Sequence, residues 1–271
     1  MKLSFTTLGC PDWSFDKILK EAQKIGFEGI EIRGIEGKMR AEEIPQFFPE
    51  NIESTKKHIA DHNLEIMGFG SSACFHTQEI ASAGIEEAKK AIDVCSMVQI
   101  PSVRVFGDAI PVPEKADETI SLVARSVASL CEYASDKNVN IAFEIHGDFN
   151  TIEAISGLIE HCKNYPNFGI IWDIAHSDCA YADNWYPFYE VIRPHIKQTH
   201  FKDHIRNADG SHTLCIVGEG DIPIAEIVKT LKEDGYTGYY SLEWEKKWQP
   251  YLPEPEIAFP AYYNYMKNLL K

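Results

Sequence analysis

The chain is short of cations. Its 26 Lys and Arg stand against 41 Asp and Glu, a net charge of −15. Proteins that hold nucleic acid present a basic face, and a chain this acidic lacks the charge to build one. It also has no CxxC: seven cysteines, at positions 10, 74, 95, 131, 162, 179 and 215, are scattered and odd in number. That usage fits reduced, mostly buried thiols and sets the expectation of a cytoplasmic protein. No apolar run approaches the roughly 20 residues of a membrane span, so no membrane partner is expected. The opening MKLSFTTLGC ends in a lipobox-like LGC, but the apolar stretch before it is short and holds two threonines. A first strand is the better reading. No GxGxxG turn follows that strand, which removes the main argument for a doubly wound nucleotide-binding sheet.

What is present is a regular alternation of strand-like and helix-like segments. Strands are expected over 3–8, 29–33, 64–70, 102–107, 141–146, from 168, over 196–203 and over 239–245. Helices are expected over 14–25 (capped by Ser14), 52–63, 84–97, 118–137, 152–164, 185–192, 223–234 (capped by Asp221) and 255–270. Eight strand–helix units in 271 residues predict an α/β chain folded as one (β/α)8 barrel domain spanning 1–271.

Four of the strands end in chemistry. FGIIWDIAHSD, from Phe168, starts as the apolar run of a strand buried on both faces and then reaches Asp173. IAFEIH, IKQTHFKD and YYSLEWE likewise carry Glu144, His200 and Glu243. Side chains alternate along a strand, so Glu144 shares the inner face with Ala142, and Ser241 with Glu243. Phe143, Ile145, Leu242 and Trp244 then face the covering helices. Each polar residue has an ordinary reading of its own: Glu243 in a solvated charge run, His200 as a hydrogen-bonded core histidine, Asp173 as a helix cap. Together they form a mixed oxygen and nitrogen set at the barrel end where active residues gather. Such a set suits one divalent ion, Mn²⁺ first, with Zn²⁺, Co²⁺ and Mg²⁺ as the alternatives.

With those residues in view, the chain resembles the xylose-isomerase-like superfamily of barrels, in its sugar phosphate isomerase/epimerase branch. The resemblance runs through GFEGIEIRG, VRVFGD, HFKDH and EGDIP. It implies a metal quartet of Glu144, Asp173, His200 and Glu243, and a DxxH element of Asp173 and His176 whose histidine touches substrate oxygens. It also implies a substrate-binding Arg206, six residues after the metal-binding histidine. Ketose 3-epimerases of this kind carry a glutamate six residues after the first ligand, where this chain has Asn150.

The implied activity is a metal-dependent sugar, cyclitol or keto-sugar isomerase or epimerase working through a metal-stabilised enediolate. Glu144 and Glu243 are expected to be its acid–base pair. An inosose-dehydratase-like lyase is the first alternative. An endonuclease-IV-like phosphodiesterase and a non-catalytic sugar-binding barrel follow. His146, on the face of Glu144, and Arg33 and His76, near the ends of strands two and three, are further candidates for substrate contact. The segment 205–221, with Gly210, Gly218 and Gly220, reads as a loop able to act as a lid. Lys202 and Asp203 read as substrate contacts or as supports for His200. Glu31 and Arg104 interrupt apolar strands and are expected to pair with each other. Sparse basic residues in the last two strand-end loops point to an unphosphorylated carbohydrate as the partner. A homo-oligomer is compatible with everything above.

Overall fold

Alternating side chains turn each strand into a two-faced ribbon, and burying both faces requires a closed sheet with helices outside. The computed structural model, which describes residues 2–271, has this form. The barrel strands are β1 (Lys2–Thr6), β2 (Gly29–Ile32), β3 (Glu65–Cys74), β4 (Ser102–Phe106), β5 (Asn140–Glu144), β6 (Phe168–Asp173) and β7 (Ile196–Phe201). A two-stranded hairpin, β8 (Asp203–Arg206) and β9 (His212–Cys215), precedes the last barrel strand, β10 (Tyr239–Leu242). All barrel pairings are parallel, and β10 closes the ring between β7 and β1.

The helices are α1 (Phe15–Ile25), α2 (Ile52–Asp61), α3 (Gln78–Val98), α4 (Ala116–Tyr133), α5 (Ile152–Cys162), α6 (Ile174–Tyr181), α7 (Tyr186–Ile192), α8 (Ile224–Glu233) and α9 (Pro255–Leu269). Among the described residues, no helix is long and apolar enough to cross a membrane. Local chemistry sets several helix ends. Ser14, Thr77 and Thr151 each accept a backbone N–H of the first turn through the side-chain oxygen. Gly26, at φ +108°, ends α1 in a left-handed cap.

The faces divide as alternation requires. Phe143, Trp172, Leu242 and Trp244 belong to the contiguous apolar core between barrel and helices. Ala142 and Ile171, their neighbours in sequence, are buried but stand apart from it. Each large outer side chain contributes roughly 1.5–3 kcal/mol through burial, so the barrel wall is stable enough to carry polar groups inside. Register then brings those groups together: Asp173 lies beside His200, Phe106 beside Glu144, and Ser241, two residues before Glu243, beside His200.

Several elements differ from the sequence expectation: α6 falls in none of the expected helices, β3 runs on to Cys74, and three further differences have a local cause. Helix α3 begins at Gln78 rather than 84, because Gly84 is not a boundary: a Cβ there would meet the Cys74 carbonyl oxygen at 2.5 Å, so the glycine lets helix and strand approach. Asp221 does not cap α8. Its Oδ2 accepts the Arg206 N–H at 2.7 Å, and the helix starts at Ile224 with no side-chain cap. The segment 205–221 is partly regular structure, since β8 and β9 pair across a turn at Gly210.

Candidate metal centre

The four strand-end residues converge. Ligand-type atoms of Glu144, Asp173, His200 and Glu243 all lie within 4.8 Å of one another, and all four residues are buried. Glu144 ends β5, Asp173 ends β6, His200 lies in β7, and Glu243 follows β10.

Each of the four is held from behind. His200 Nδ1 is 2.7 Å from Glu144 Oε1 and 3.6 Å from Glu243 Oε2, while its Nε2 is 2.8 Å from Glu31 Oε2. Glu31 also accepts from Gln198 Nε2 at 2.6 Å. Glu31 therefore accepts the Nε2–H hydrogen bond and leaves Nδ1 to face the carboxylates, the arrangement in which a ligating histidine is oriented by a carboxylate behind it. Arg104 Nη1 donates to Glu144 Oε2, and its Nη2 donates to the Ser71 carbonyl at 2.7 Å. The expected pairing of Glu31 with Arg104 is thus corrected: each finds a different partner inside the barrel.

Asp173 does two jobs with two oxygens. Oδ1 accepts the N–H groups of Ala175 (2.9 Å) and His176 (3.2 Å) and so caps α6. Oδ2 is buried without a hydrogen bond; the Lys202 ammonium 3.0 Å away is an ion contact without hydrogen-bond alignment. Lys202 Nζ bonds instead to Glu243 Oε2 (2.6 Å) and Glu245 Oε1 (2.7 Å). The helix-cap and ligand readings of Asp173 are compatible, because they use different atoms.

Electrostatics agree with a cation at this point. Burial pushes the Asp173 carboxyl up to about 7 against the pull of Lys202, and Glu243 and Glu144 add to the rise. Burial opposes charge on Glu144 as well, but Arg104 and then His200 outweigh it and hold its pKa below the ordinary value. Glu243 is lowered in the same way, by Lys202 and His200 against burial. Burial also disfavours a charged His200, yet Glu31, Glu243 and Glu144 raise its pKa well above the ordinary value. An orphaned buried carboxylate oxygen among three acids, beside an imidazole aimed by a fourth, fits a divalent ion with oxygen and nitrogen ligands.

The remaining candidates fall into two groups. His176 is largely buried; burial, then Lys202, pull its pKa down to about 3, so the ring is neutral. It lies against His146, ring centroids 4.3 Å apart. His146 Nδ1 is 3.4 Å from Asp108 Oδ1, and His76 Nδ1 is 3.8 Å from Asp108 Oδ2. Arg33 lies across Gly70, where a Cβ would meet its Cδ at 2.7 Å, and donates to Ser72 Oγ at 2.9 Å. Its Nη1 is buried with no partner, a donor left over for a ligand. Arg206 is differently placed: Asp178 accepts from its Nε (3.0 Å) and Nη2 (2.6 Å), and Asp183 from its Nη1 (3.0 Å). Asn150 donates to the His176 carbonyl at 3.0 Å. Asp203 accepts four backbone N–H groups, from His204, Gly218, Gly220 and Ile222, and so anchors the hairpin's return.

Two residues of functional type lie outside the sequence expectation in these roles, Glu31 behind His200 and Asp108 between two histidines. The only sequence signal for either was a charge beside an apolar strand.

Comparison with known proteins places this fold. L-ribulose-5-phosphate 3-epimerase UlaE of Escherichia coli is 27% identical over 182 residues, 66% of this chain and 62% of that protein. The match therefore spans less than two thirds of the relative's own length. Among solved structures, the probable 3-DHS dehydratase AsbF of Bacillus anthracis superposes with a TM-score of 0.78 at 19% identity, covering 98% of this chain and 99% of that one. The IOLI protein, solved with a bound zinc atom, superposes at 0.77 with 18% identity over 99% of this chain and 98% of that one. At these identities the two structures establish a common fold. A family model described as xylose isomerase-like TIM barrel matches residues 19–261, and the chain belongs to that family.

Proposed function

We propose that residues 1–271 form a divalent-metal-dependent isomerase or epimerase acting on a sugar, cyclitol or keto-sugar. The observation that carries this reading is the convergence of Glu144, Asp173, His200 and Glu243 within 4.8 Å at one end of the barrel, with Glu31 orienting the histidine. Those four residues would hold the ion. A divalent cation there supplies a Lewis acid for a carbonyl and its neighbouring hydroxyl.

The chain's own groups do the rest. Glu144 and Glu243 come from β5 and from the segment after β10, separated around the ring by β6 and β7, and so reach the ion site from different sides. One takes the proton from the carbon beside the carbonyl, and the electron pair moves to oxygen as an enediolate. The other returns a proton to the opposite face of the same carbon for epimerisation, or to the neighbouring carbon for isomerisation. His176, neutral, and Arg33, with its free Nη1, would donate to substrate oxygens. Arg206 is committed to Asp178 and Asp183, and Lys246 to the carbonyls of Pro250 and Leu252. Among the described residues, Lys247, over the Trp248 ring, is the one cation of these loops without a carboxylate or carbonyl partner, and so few free cations favour an unphosphorylated substrate.

Asn150 supports a lyase as the second reading. It ties to the His176 carbonyl through its amide and offers no carboxylate six residues after Glu144. Loss of a β-hydroxyl from the same enediolate then yields dehydration. The test incubates metal-loaded protein with ketoses, inososes and their phosphates in D₂O and follows deuterium uptake and loss of water by mass spectrometry. Deuterium at the carbon beside the carbonyl, faster for an unphosphorylated compound, is the expected result. Metal-loaded protein that exchanges no proton of any of them would overturn the proposal.

A further inference from the structure

A second cluster of metal-ligating side chains lies where the hairpin meets α6. Cys179 sits in the last turns of α6, His204 in β8 and His212 in β9, and one ligand-type atom from each lies within 4.8 Å of the others. The hairpin register pairs Arg206 with His212 and His204 with Leu214. Cross-strand partners and next-but-one residues share a face, so His204, Arg206 and His212 stand on the same side of the ribbon. That side meets α6: His204 Nε2 is 2.8 Å from Asp178 Oδ2, and Cys179 Sγ is 3.8 Å from His212 Nδ1. The rings of His204 and His212 are 4.3 Å apart, centroid to centroid.

We propose that Cys179, His204 and His212 form a binding site for a borderline-soft divalent cation, Zn²⁺ or Co²⁺, which clips the hairpin to α6. Zinc takes sulfur at about 2.3 Å and imidazole nitrogen at about 2.0–2.1 Å, which at a tetrahedral angle places the two roughly 3.6 Å apart. The sulfur–nitrogen distance found is 3.8 Å. Asp178 does for His204 what Glu31 does for His200: it accepts the Nε2–H hydrogen bond, the tautomer with the lone pair on Nδ1. Burial, then Asp178 and Asp173, raise the Cys179 thiol above its ordinary value, so a cation has to displace its proton. With that proton gone, Asp178, Asp183 and the thiolate against Arg206 leave a local charge of −2, which a dication neutralises. Cys179 and His212 are exposed and His204 is buried, so the cation enters from solvent and keeps a fourth position for water. One thiolate and two imidazoles select against the hard ions that suit an oxygen-rich quartet. The site stands on its own residues and survives failure of the catalytic reading.

The experiment titrates the metal-free full-length chain with Co²⁺ and records near-ultraviolet absorption. Sulfur-to-cobalt charge transfer reports thiolate ligation, and the quartet has no sulfur, so its filling is silent in this band. The expected result is a band that is complete by two added Co²⁺ per chain, one of them taken silently by the quartet, and that is displaced by Zn²⁺ and lost in Cys179→Ser. In His212→Ala the affinity should fall by more than the roughly 10–100-fold that loss of an outer partner costs. Labelling of Cys179, the exposed cysteine, by a thiol reagent should slow when Zn²⁺ is added. A titration without the band overturns the proposal, as does a band undiminished in Cys179→Ser or indifferent to His212→Ala. Both altered side chains are exposed, so the variants are expected to fold, and circular dichroism checks that they do.

Discussion

Glu31 Oε2 and His200 Nε2 stand 2.8 Å apart across the barrel interior, while His200 Nδ1 turns to Glu144. One glutamate from β2 thereby fixes which nitrogen of a β7 histidine is free. Outer partners of ligating histidines are worth about 10–100-fold in metal affinity. Glu31→Gln should lose that much, measured by competition with a chelator, while circular dichroism stays that of the wild type. An unchanged affinity would mean that the ring is oriented by something else.

Arg104 and Glu144 form a buried pair. Removing one partner of such a pair leaves the other charge uncompensated, at a cost of roughly 3–5 kcal/mol. Arg104→Met should lower metal-free stability by about that amount in urea melts, and part of the loss should return on metal loading, since a bound cation can neutralise Glu144. A variant as stable as the wild type without metal would show that Glu144 is compensated by His200 alone.

The raised Asp173 carboxyl makes metal binding depend on pH. Its ordinary value is 3.8 and its folded, metal-free value about 7, so between these the folded protein holds a proton that the unfolded chain does not. This group's contribution to metal-free stability is present below about pH 4 and is lost as pH rises through 7. A metal must displace that proton, and also the one on His200, whose pKa is raised. Protons released on metal addition, followed in weakly buffered solution, should be more numerous at pH 6 than at pH 8. Equal release at both would refute the assignment of Asp173 as a ligand.

Glu144→Gln and Glu243→Gln should each reduce turnover by about 10²–10⁴-fold, the usual worth of a positioned acid or base. They should also differ in kind. The surviving carboxylate can still remove and return a proton on its own face, so one epimer should exchange with D₂O in one variant and the opposite epimer in the other. His176→Ala should weaken substrate binding with metal content nearly unchanged. Near wild-type turnover in both glutamine variants would place the chemistry elsewhere.

Much of this molecule is decided by short-range pattern. Period-two alternation in 141–146 and 239–245 separates Phe143, Leu242 and Trp244 from Glu144 and Glu243, because a strand can only point successive side chains to opposite faces. Eight such units dictate a barrel, and the barrel dictates that residues ending its strands meet. The placing of Glu144, Asp173, His200 and Glu243 at one end was therefore legible in the chain. Long-range pairing was not. Glu31 and Arg104 each need an opposite charge, and the sequence is equally satisfied if they meet one another. Barrel closure and strand stagger alone bring Arg104 of β4 to Glu144 of β5 and carry Glu31 of β2 across the interior to His200 of β7. The hairpin is similar: polar, short β8 and β9 carry no periodicity of their own and acquire their register from pairing, and only that register gathers Cys179, His204 and His212. Local alternation is a property of the backbone and survives translation into sequence; the choice among equivalent charge partners belongs to the closed sheet.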